Sequence, residues 1–546
     1  MARALLVSYP GYPSTPRHLV ANNWLANLAG ALIGAGHEAE IVDYGTVSMM
    51  RRLFPEAVTA QLQPLAAGLM GGGGQPNAEQ LAKLQEWSAQ LDAHQEQTVR
   101  ELGAELVAHS RRWQPDLVAF ELSDGDGYSG SVHLAERLRE QFPDTHITAG
   151  GRKAGWFRGI IFRSTAAFDT IIFGDPEGVI VKLADIAEGR GSLEQTPGIA
   201  CRAGAEIVEH PRDESVELDS FPMPVYDSAV YPAMAADDKI KMVILTDSRG
   251  CPNRCAFCVH PREDGGRQRT ASPARIADTM QHLQQQHGIS VFRFGGASTA
   301  GDLMYAVAQE IIQRGLEIEY NSFGHFRTAN ADHFEVLANS GLYSLFFGLE
   351  SGSQRILDQA VHKGIKLERV GETLKAAQAA GIFSAASMIV PLPFDTPATL
   401  AESLEFVKGL QPDSVPLQFP GVFPGTPWIE QPEKYNIEIG GVDEYLASNL
   451  DYRVKLLFPP QFWEPLPYKI NGMAFQEMTA VTMQFAAELE AAGILTNFSH
   501  TLASIAKSAG MEPRQLRDMA QLWCVTGDAE AMGGLVRRAN EAIIRN

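Results

Sequence analysis

The sequence predicts an α/β protein in three parts. A doubly wound parallel sheet (Rossmann-like) occupies residues 1–204, a partial (β/α)6 barrel 241–430 behind a linker at 205–240, and a mainly helical domain 431–546. Three observations carry this. Short runs rich in Val, Ile and Leu alternate with segments of helical spacing, the pattern of parallel sheets covered on both faces. The alternation breaks off at a stretch dense in proline and acid ("HPRDE", "FPMPVYD", "YPAMAADD") and then resumes. The chain's 546 residues also exceed what one core supports.

In the first part the strands are "ALLVSY" (4–9), "EAEIVDY" (38–44), "DLVAFEL" (116–122), "THITAGG" (145–151) and "DTIIFGD" (169–175). Helical patterns such as "LANLAGALIGAG" (25–36) and "VHLAERLREQF" (132–142) separate them. Residues 45–113 form an expanded, mostly helical connection, with "GGGGQP" (71–76) as a flexible exposed loop. On such sheets ligands sit outside the carboxyl ends of the strands. Those ends read "SYPGY", "ELSDGDG", "TAGGR" and "FGDPEG", small enough to admit a large flat ligand or a phosphate. Each alone is also what a tight turn with a capping Ser or Asp looks like.

Six strand–helix units follow: 241–250, 290–296, 317–324, 342–352, 382–393 and 415–425. Their C-terminal ends would carry an active site. The last hundred or so residues lose the strand pattern, and "FQEMTAVTMQFAAELEAAG" (475–493) and "AEAMGGLVRRANEAI" (529–543) read as a helical cap. Trp428, Tyr452, Trp463 and Tyr468 could line a pocket there, although core packing is the better explanation of each.

Bulk composition narrows the function. A formal charge of −20 repels phosphate backbones, which disfavours nucleic acid as a partner. No apolar run approaches a membrane span, and the N-terminus lacks a secretory signal, so a cytoplasmic location is expected. Of five cysteines, three are crowded into "GCPNRCAFC" at Cys251, Cys255 and Cys258, while Cys201 and Cys524 read as ordinary buried thiols. Three thiolates on one loop can hold three irons of a cubane cluster and leave the fourth open. A zinc site completed by His260 is the competing reading.

With Phe257 before the last cysteine, this C-x3-C-x-aromatic-C loop resembles the signature of radical S-adenosylmethionine (SAM) enzymes. The resemblance implies a 4Fe–4S cluster on Cys251, Cys255 and Cys258, with SAM chelating the open iron. Gly295–Gly296 resembles the family's glycine–glycine–glutamate motif, with Ala297 in place of the acid. "GLESGSQRIL" (348–357) resembles a segment that approaches SAM, which nominates Glu350 and Ser351. Arg327 would meet the SAM carboxylate, and "SMIVPLPFDT" (387–396), with Ile389, would pack on adenine.

The doubly wound front part resembles the cobalamin-binding branch of this superfamily, the likeness covering roughly residues 1–430. It implies that Ser123, Asp124, Gly150, Gly151, Gly174 and Asp175 hold cobalamin. The loop after the first strand, "YPGYPSTPRHLV", lacks D-x-H-x-x-G, so no histidine is expected on cobalt. The implied function is methyl transfer from SAM, by way of methylcobalamin, to an unactivated carbon, less often phosphorus, of a small molecule or peptide. An electron donor such as flavodoxin or ferredoxin would be required. Radical cyclisation or rearrangement is the runner-up, and a non-catalytic cobalamin or iron–sulfur sensor the reading from another class. A transfer-RNA methylthiolase is disfavoured by the acidic charge and the missing second cysteine triad.

Overall fold

A computed structural model describes every residue except 73–75, 205 and 546. The glycine-rich loop expected at 71–76 falls largely on 73–75, outside the described residues. Strands β1 (Arg3–Ser8), β2 (Glu38–Asp43), β3 (Leu117–Glu121), β4 (His146–Gly150) and β5 (Thr170–Ile172) form a parallel sheet in the order β2-β1-β3-β4-β5. Their apolar residues are almost wholly buried, as strands covered on both faces must be. The sheet is extended by an antiparallel pair, β6 (Ile199–Ala203) and β7 (Glu206–Glu209), the latter inside the stretch read as a linker. The described residues of 45–113 are mostly helical, as expected. The longest helix, Ala78–Trp113, starts from an Asn77–Gln80 capping box that satisfies its free N–H groups.

The second sheet begins at β8 (Val243–Leu245). A short antiparallel ribbon follows, β9 (Ser248–Gly250) with β10 (Gln268–Thr270). Then come β11 (Val291–Phe294), β12 (Glu319–Gly324), β13 (Leu342–Glu350), β14 (Phe383–Ile389), β15 (Ser414–Val415) and β16 (Leu417–Gln418). Neighbours from β8 to β15 pair in parallel in chain order, and β16 pairs β14. All six expected strand positions are therefore occupied. After an antiparallel pair, β17 (Ile437–Ile439) and β18 (Tyr468–Ile470), the mainly helical tail adds β19 (Leu495–Thr496), a seventh parallel strand beside β15. Two residues are too short to show a period, which is why this strand is silent in the sequence.

The tail also floors the barrel. Helix His500–Ser508 packs under β12, β13 and β14. Its Ser504 Oγ accepts from Asn321 Nδ2 (2.8 Å), and the His500 carbonyl accepts from Ser344 Oγ (2.9 Å). Glu490 ties β19 down by accepting from Thr496 N and Oγ1, both at 2.7 Å, and from Arg514 and Arg517. Among the described residues no helix is long and apolar enough to cross a membrane.

Two tests follow from these ties. Burial pushes the Glu490 carboxyl up, but the Thr496 and arginine bonds outweigh it and hold it at about 2, below the ordinary 4.5. A depressed carboxylate stabilises fully above pH 4.5 and loses that effect as pH falls through 2. Glu490→Gln should accordingly speed hydrogen exchange of the β15 and β19 amides at pH 7, with the difference from the parent shrinking below pH 4.5. The second tie is the fully buried Lys239, which donates to Asp43 (2.6 Å) at the end of β2 and to the Gly45 carbonyl (2.7 Å). Lys239→Met strands Asp43 without its cation and should cost about 3–5 kcal/mol, read as a lower denaturation midpoint.

Candidate functional site

The carboxyl edges of the two sheets face each other, and a charged clamp fixes them. Asp175, just past β5, accepts from Arg249 Nη1 (2.6 Å) on β9 and Arg269 Nη1 (2.7 Å) on β10. Arg249 also reaches Glu177 (2.5 Å), and Arg269 reaches Asp264 (2.8 Å). Burial raises the Asp175 carboxyl, yet the two guanidinium groups outweigh it and hold it below the ordinary range. Arg152, after β4, donates to the Gly295 carbonyl (3.0 Å), and Trp156 Nε1 donates to Glu263 (2.7 Å).

The cysteine loop opens at Gly250, whose φ of +74° and close approach to the Arg267 carbonyl, 2.2 Å from where a Cβ would stand, require glycine. Cys251 and Cys255 are buried and Cys258 half-buried, all three as free thiols. Ala256 N donates to the Val361 carbonyl (2.9 Å), Trp428 Nε1 donates to the Ala360 carbonyl (3.1 Å), and Phe257 packs against Trp428 at 5.8 Å between ring centroids. Asn253 Nδ2 donates to Cys251 Sγ (3.2 Å) while its Oδ1 accepts from Arg327 Nη1 (3.2 Å). Burial pushes the Cys255 thiol up to about 11 and Cys258 to about 12, so their thiolates form when a metal supplies compensating charge. Lys363, buried behind them, donates to Glu350 Oε1 and the Gly348 carbonyl, each at 2.6 Å. Burial alone would lower this ammonium, but Glu350 and then Cys255 raise it.

Two observations bear on the zinc alternative. His260 Nδ1 is turned to Glu263 Oε2 (2.8 Å). Among the described residues no three His, Cys, Asp or Glu side chains converge as ligands of one ion would.

The residues nominated for SAM lie on consecutive strand ends around this loop. Gly295 and Gly296 follow β11. Gly296 N donates to the buried Asp247 (2.7 Å), which also accepts from Thr299 Oγ1 (2.7 Å), and a Cβ on Gly296 would stand 2.1 Å from Ser248 Oγ. Arg327 follows β12. Glu350 ends β13 at a bulge with φ +68°. Ser351, buried, turns its hydroxyl to Ser403 (3.1 Å). Ile389 ends β14, nearly buried.

The residues nominated for cobalamin do not share one cavity. Ser123 and Asp124 line a cavity of about 910 Å³ with His18, Tyr128 and the Tyr452–Leu457 segment of the tail, and Asp124 pairs with Lys153 (2.6 Å). Gly151, Gly174 and Asp175 line a smaller one of about 210 Å³ against Ser248, Gly295 and Ala297. Gly150 lies under the Trp24 ring, 2.4 Å from where a Cβ would stand, and Gly174 is pressed to Gly198 Cα (2.8 Å). Of the tail aromatics, Tyr452 lines the larger cavity, while Trp428 and Tyr468 are buried. Lys363, Asp247, Arg249 and Arg269 had no signal in the sequence, being single charged residues whose partners are far away in the chain. Lys363 alone stood close behind a nominated segment.

With this geometry in place, the comparisons are specific. Residues 245–407 match the sequence model of the Radical SAM superfamily. An uncharacterised methyltransferase of Pyrococcus horikoshii is 25% identical over 321 residues, 58% of this chain and 69% of that protein. The hopanoid C-3 methylase of Methylococcus capsulatus is 24% identical over 299 residues, 54% of this chain and 56% of its own, so the chain spans little more than half of that relative. The structure of TsrM, a radical SAM methyltransferase from Kitasatospora setae with cobalamin and a [4Fe-4S] cluster bound, superposes with a TM-score of 0.63 over 100% of both chains at 16% identity, a likeness of fold. The cysteine loop and the strand ends around it fall within residues 245–407, so this chain carries a radical SAM domain.

Proposed function

We propose that this protein is a cobalamin-dependent radical SAM methyltransferase acting on an unactivated carbon, less often phosphorus, of a small molecule or peptide. The observation that carries the reading is the placement of three free thiols, two buried and one half-buried, on one loop at the barrel mouth, opposite the carboxyl edge of a doubly wound sheet with a cavity large enough for a bulky ligand. When bound, the cluster supplies the electron that cleaves SAM, and cobalamin carries the methyl group.

The chain's own residues hold and orient these groups. Cys251, Cys255 and Cys258 ligate three irons, and Asn253 donates to the first sulfur, a bond that tunes a cluster's potential. Phe257 and Trp428 keep water from the loop. Gly295, Gly296, Arg327, Glu350, the Ser351 backbone and Ile389 surround SAM. Because the Gly295 carbonyl already accepts from Arg152, the SAM ammonium shares or displaces that bond, a consequence of Ala297 standing where the family has an acid. Ser123, Asp124 and Gly151 contact cobalamin, while Gly150, Gly174 and Asp175 shape the sheet edge beneath it. With no D-x-H-x-x-G motif after the first strand, no histidine would be expected on cobalt, and an outside donor such as flavodoxin or ferredoxin would bring the electrons.

Anaerobic reconstitution tests the core of this. The wild type should take up about four irons per chain and cobalamin, and cleave SAM on reduction. Alanine at Cys251, Cys255 or Cys258 should abolish iron uptake, whereas alanine at Cys201 or Cys524 should not. Product mass decides the chemistry: one added methylene unit supports methylation, an oxidised or isomeric product supports cyclisation or rearrangement, and no SAM cleavage supports a sensor. The axial claim has its own test. His18 lines the larger cavity, and burial, with Arg17 nearby, lowers its imidazole to about 4, which keeps it a neutral potential donor. His18→Ala should leave the cobalt(II) paramagnetic resonance spectrum unchanged. Nitrogen coupling in the wild type that vanishes in the variant would put His18 on cobalt.

A further inference from the structure

One group of side chains in the barrel has no role in the reading above. Arg293 on β11, Asn321 and Phe323 on β12, and Ser344 and Phe346 on β13 lie in register and point into the lumen, over the floor helix. The rings of Phe323 and Phe346 meet edge to face at 5.2 Å, and the His500 ring stands against both, at 4.5 and 5.3 Å. The Arg293 guanidinium lies 5.1 Å from the Phe323 centroid.

Among the described residues no carboxylate pairs with any of these basic groups. Arg293 Nε and both ring nitrogens of His500, which is 2% exposed, have no hydrogen-bond partner among the described residues. Arg17, from the loop after β1, joins no ion pair among them and lies close enough to disfavour charge on both. The two carboxylates within electrostatic range are committed elsewhere, Asp247 to Gly296 and Thr299 and Asp124 to Lys153. Burial, then Arg152 and Arg17, lowers Arg293 to about 9. Leaving the buried Nε of the half-buried Arg293 without a partner is costly, and a second guanidinium near the buried imidazole, the exposed Arg17, adds to the cost.

We propose that Arg293, Arg17 and His500 form a recognition site for the oxyanion of the substrate, a carboxylate or phosphate carried on an apolar body that packs against Phe323 and Phe346. This deepens the proposed function, since it names the chemistry of the molecule acted upon. Arg293 Nε–H and a protonated His500 nitrogen donate to the oxyanion, and the aromatic pair takes the adjoining apolar surface. SAM and cobalamin also carry an anionic group each, so the test separates the three sources.

The reconstituted holoenzyme is titrated with benzoate, neutral benzamide and inorganic phosphate, with binding read as thermal stabilisation. Benzoate and phosphate should stabilise the wild type and benzamide should not. Arg293→Gln should weaken benzoate at least about tenfold, with iron content, cobalamin content and SAM affinity unchanged. His500→Phe preserves the ring packing and should weaken benzoate likewise, which keeps the test decisive if the arginine variant folds poorly. Arg293→Lys should recover part of the binding. The assignment is overturned if benzamide matches benzoate, if neither anion stabilises the wild type, or if Arg293→Gln loses SAM or cobalamin instead. A wild type that binds benzoate but neither iron nor SAM would overturn the functional reading and leave the oxyanion site standing.

Discussion

The clamp of Asp175 between Arg249 and Arg269 is the interaction on which the remaining geometry depends. It joins the end of β5 in the front sheet to the ribbon that leads into the cysteine loop, so the position of the three thiols relative to the front sheet is set by two charge-assisted pairs. Such a partly buried network contributes little net stability once desolvation is counted. What it supplies is registry, because planar guanidinium groups accept a carboxylate in few orientations. Shifting that register would separate the Gly295 carbonyl from Arg152 and Glu263 from Trp156, two further contacts across the gap.

The charge distribution follows from the same arrangement. The exterior is strongly acidic, yet the facing edges gather Arg17, Arg152, Lys153, Arg293, Arg327 and Lys363. A water-poor chamber strengthens every interaction within it. Cations there suit thiolates and other anions and would be unfavourable empty-handed. Lys363 shows the arrangement when a partner is built in: its ammonium sits between the Glu350 carboxylate and the Gly348 carbonyl, with the thiols behind. Arg293 shows the arrangement when the partner is not part of the chain.

Much of this was legible in the sequence, for identifiable reasons. Strands covered on both faces must be continuous apolar runs, so β1 to β5 and the six barrel positions declared themselves. The cysteine loop was legible because three soft ligands at short spacing have few other uses. What was silent depends on contacts distant in the chain. β19 is two residues long, β7 lies in a stretch whose proline and acid content resembled a tether, and Asp175 looked like a turn residue free for a ligand because its arginines lie 74 and 94 positions away. His500 carried no motif at all. A helix N-terminus in a polar tail becomes a lumen residue only after β19 has been added to the sheet.

That dependence has a consequence for how the function divides among the parts of the chain. The thiols and the strand ends proposed to surround SAM lie within the segment matched to the superfamily model, 245–407, so the proposed radical chemistry would fall there. Arg17 comes from the front part and His500 from the tail, so the lumen site is complete only when all three parts are assembled around it. A protein that shared only that segment would keep Arg293 and lack the other two groups of the proposed site. The tail bears on that site through β19, which extends the sheet beside β15, and through the helix under β12, β13 and β14, which brings the His500 ring against Phe323 and Phe346.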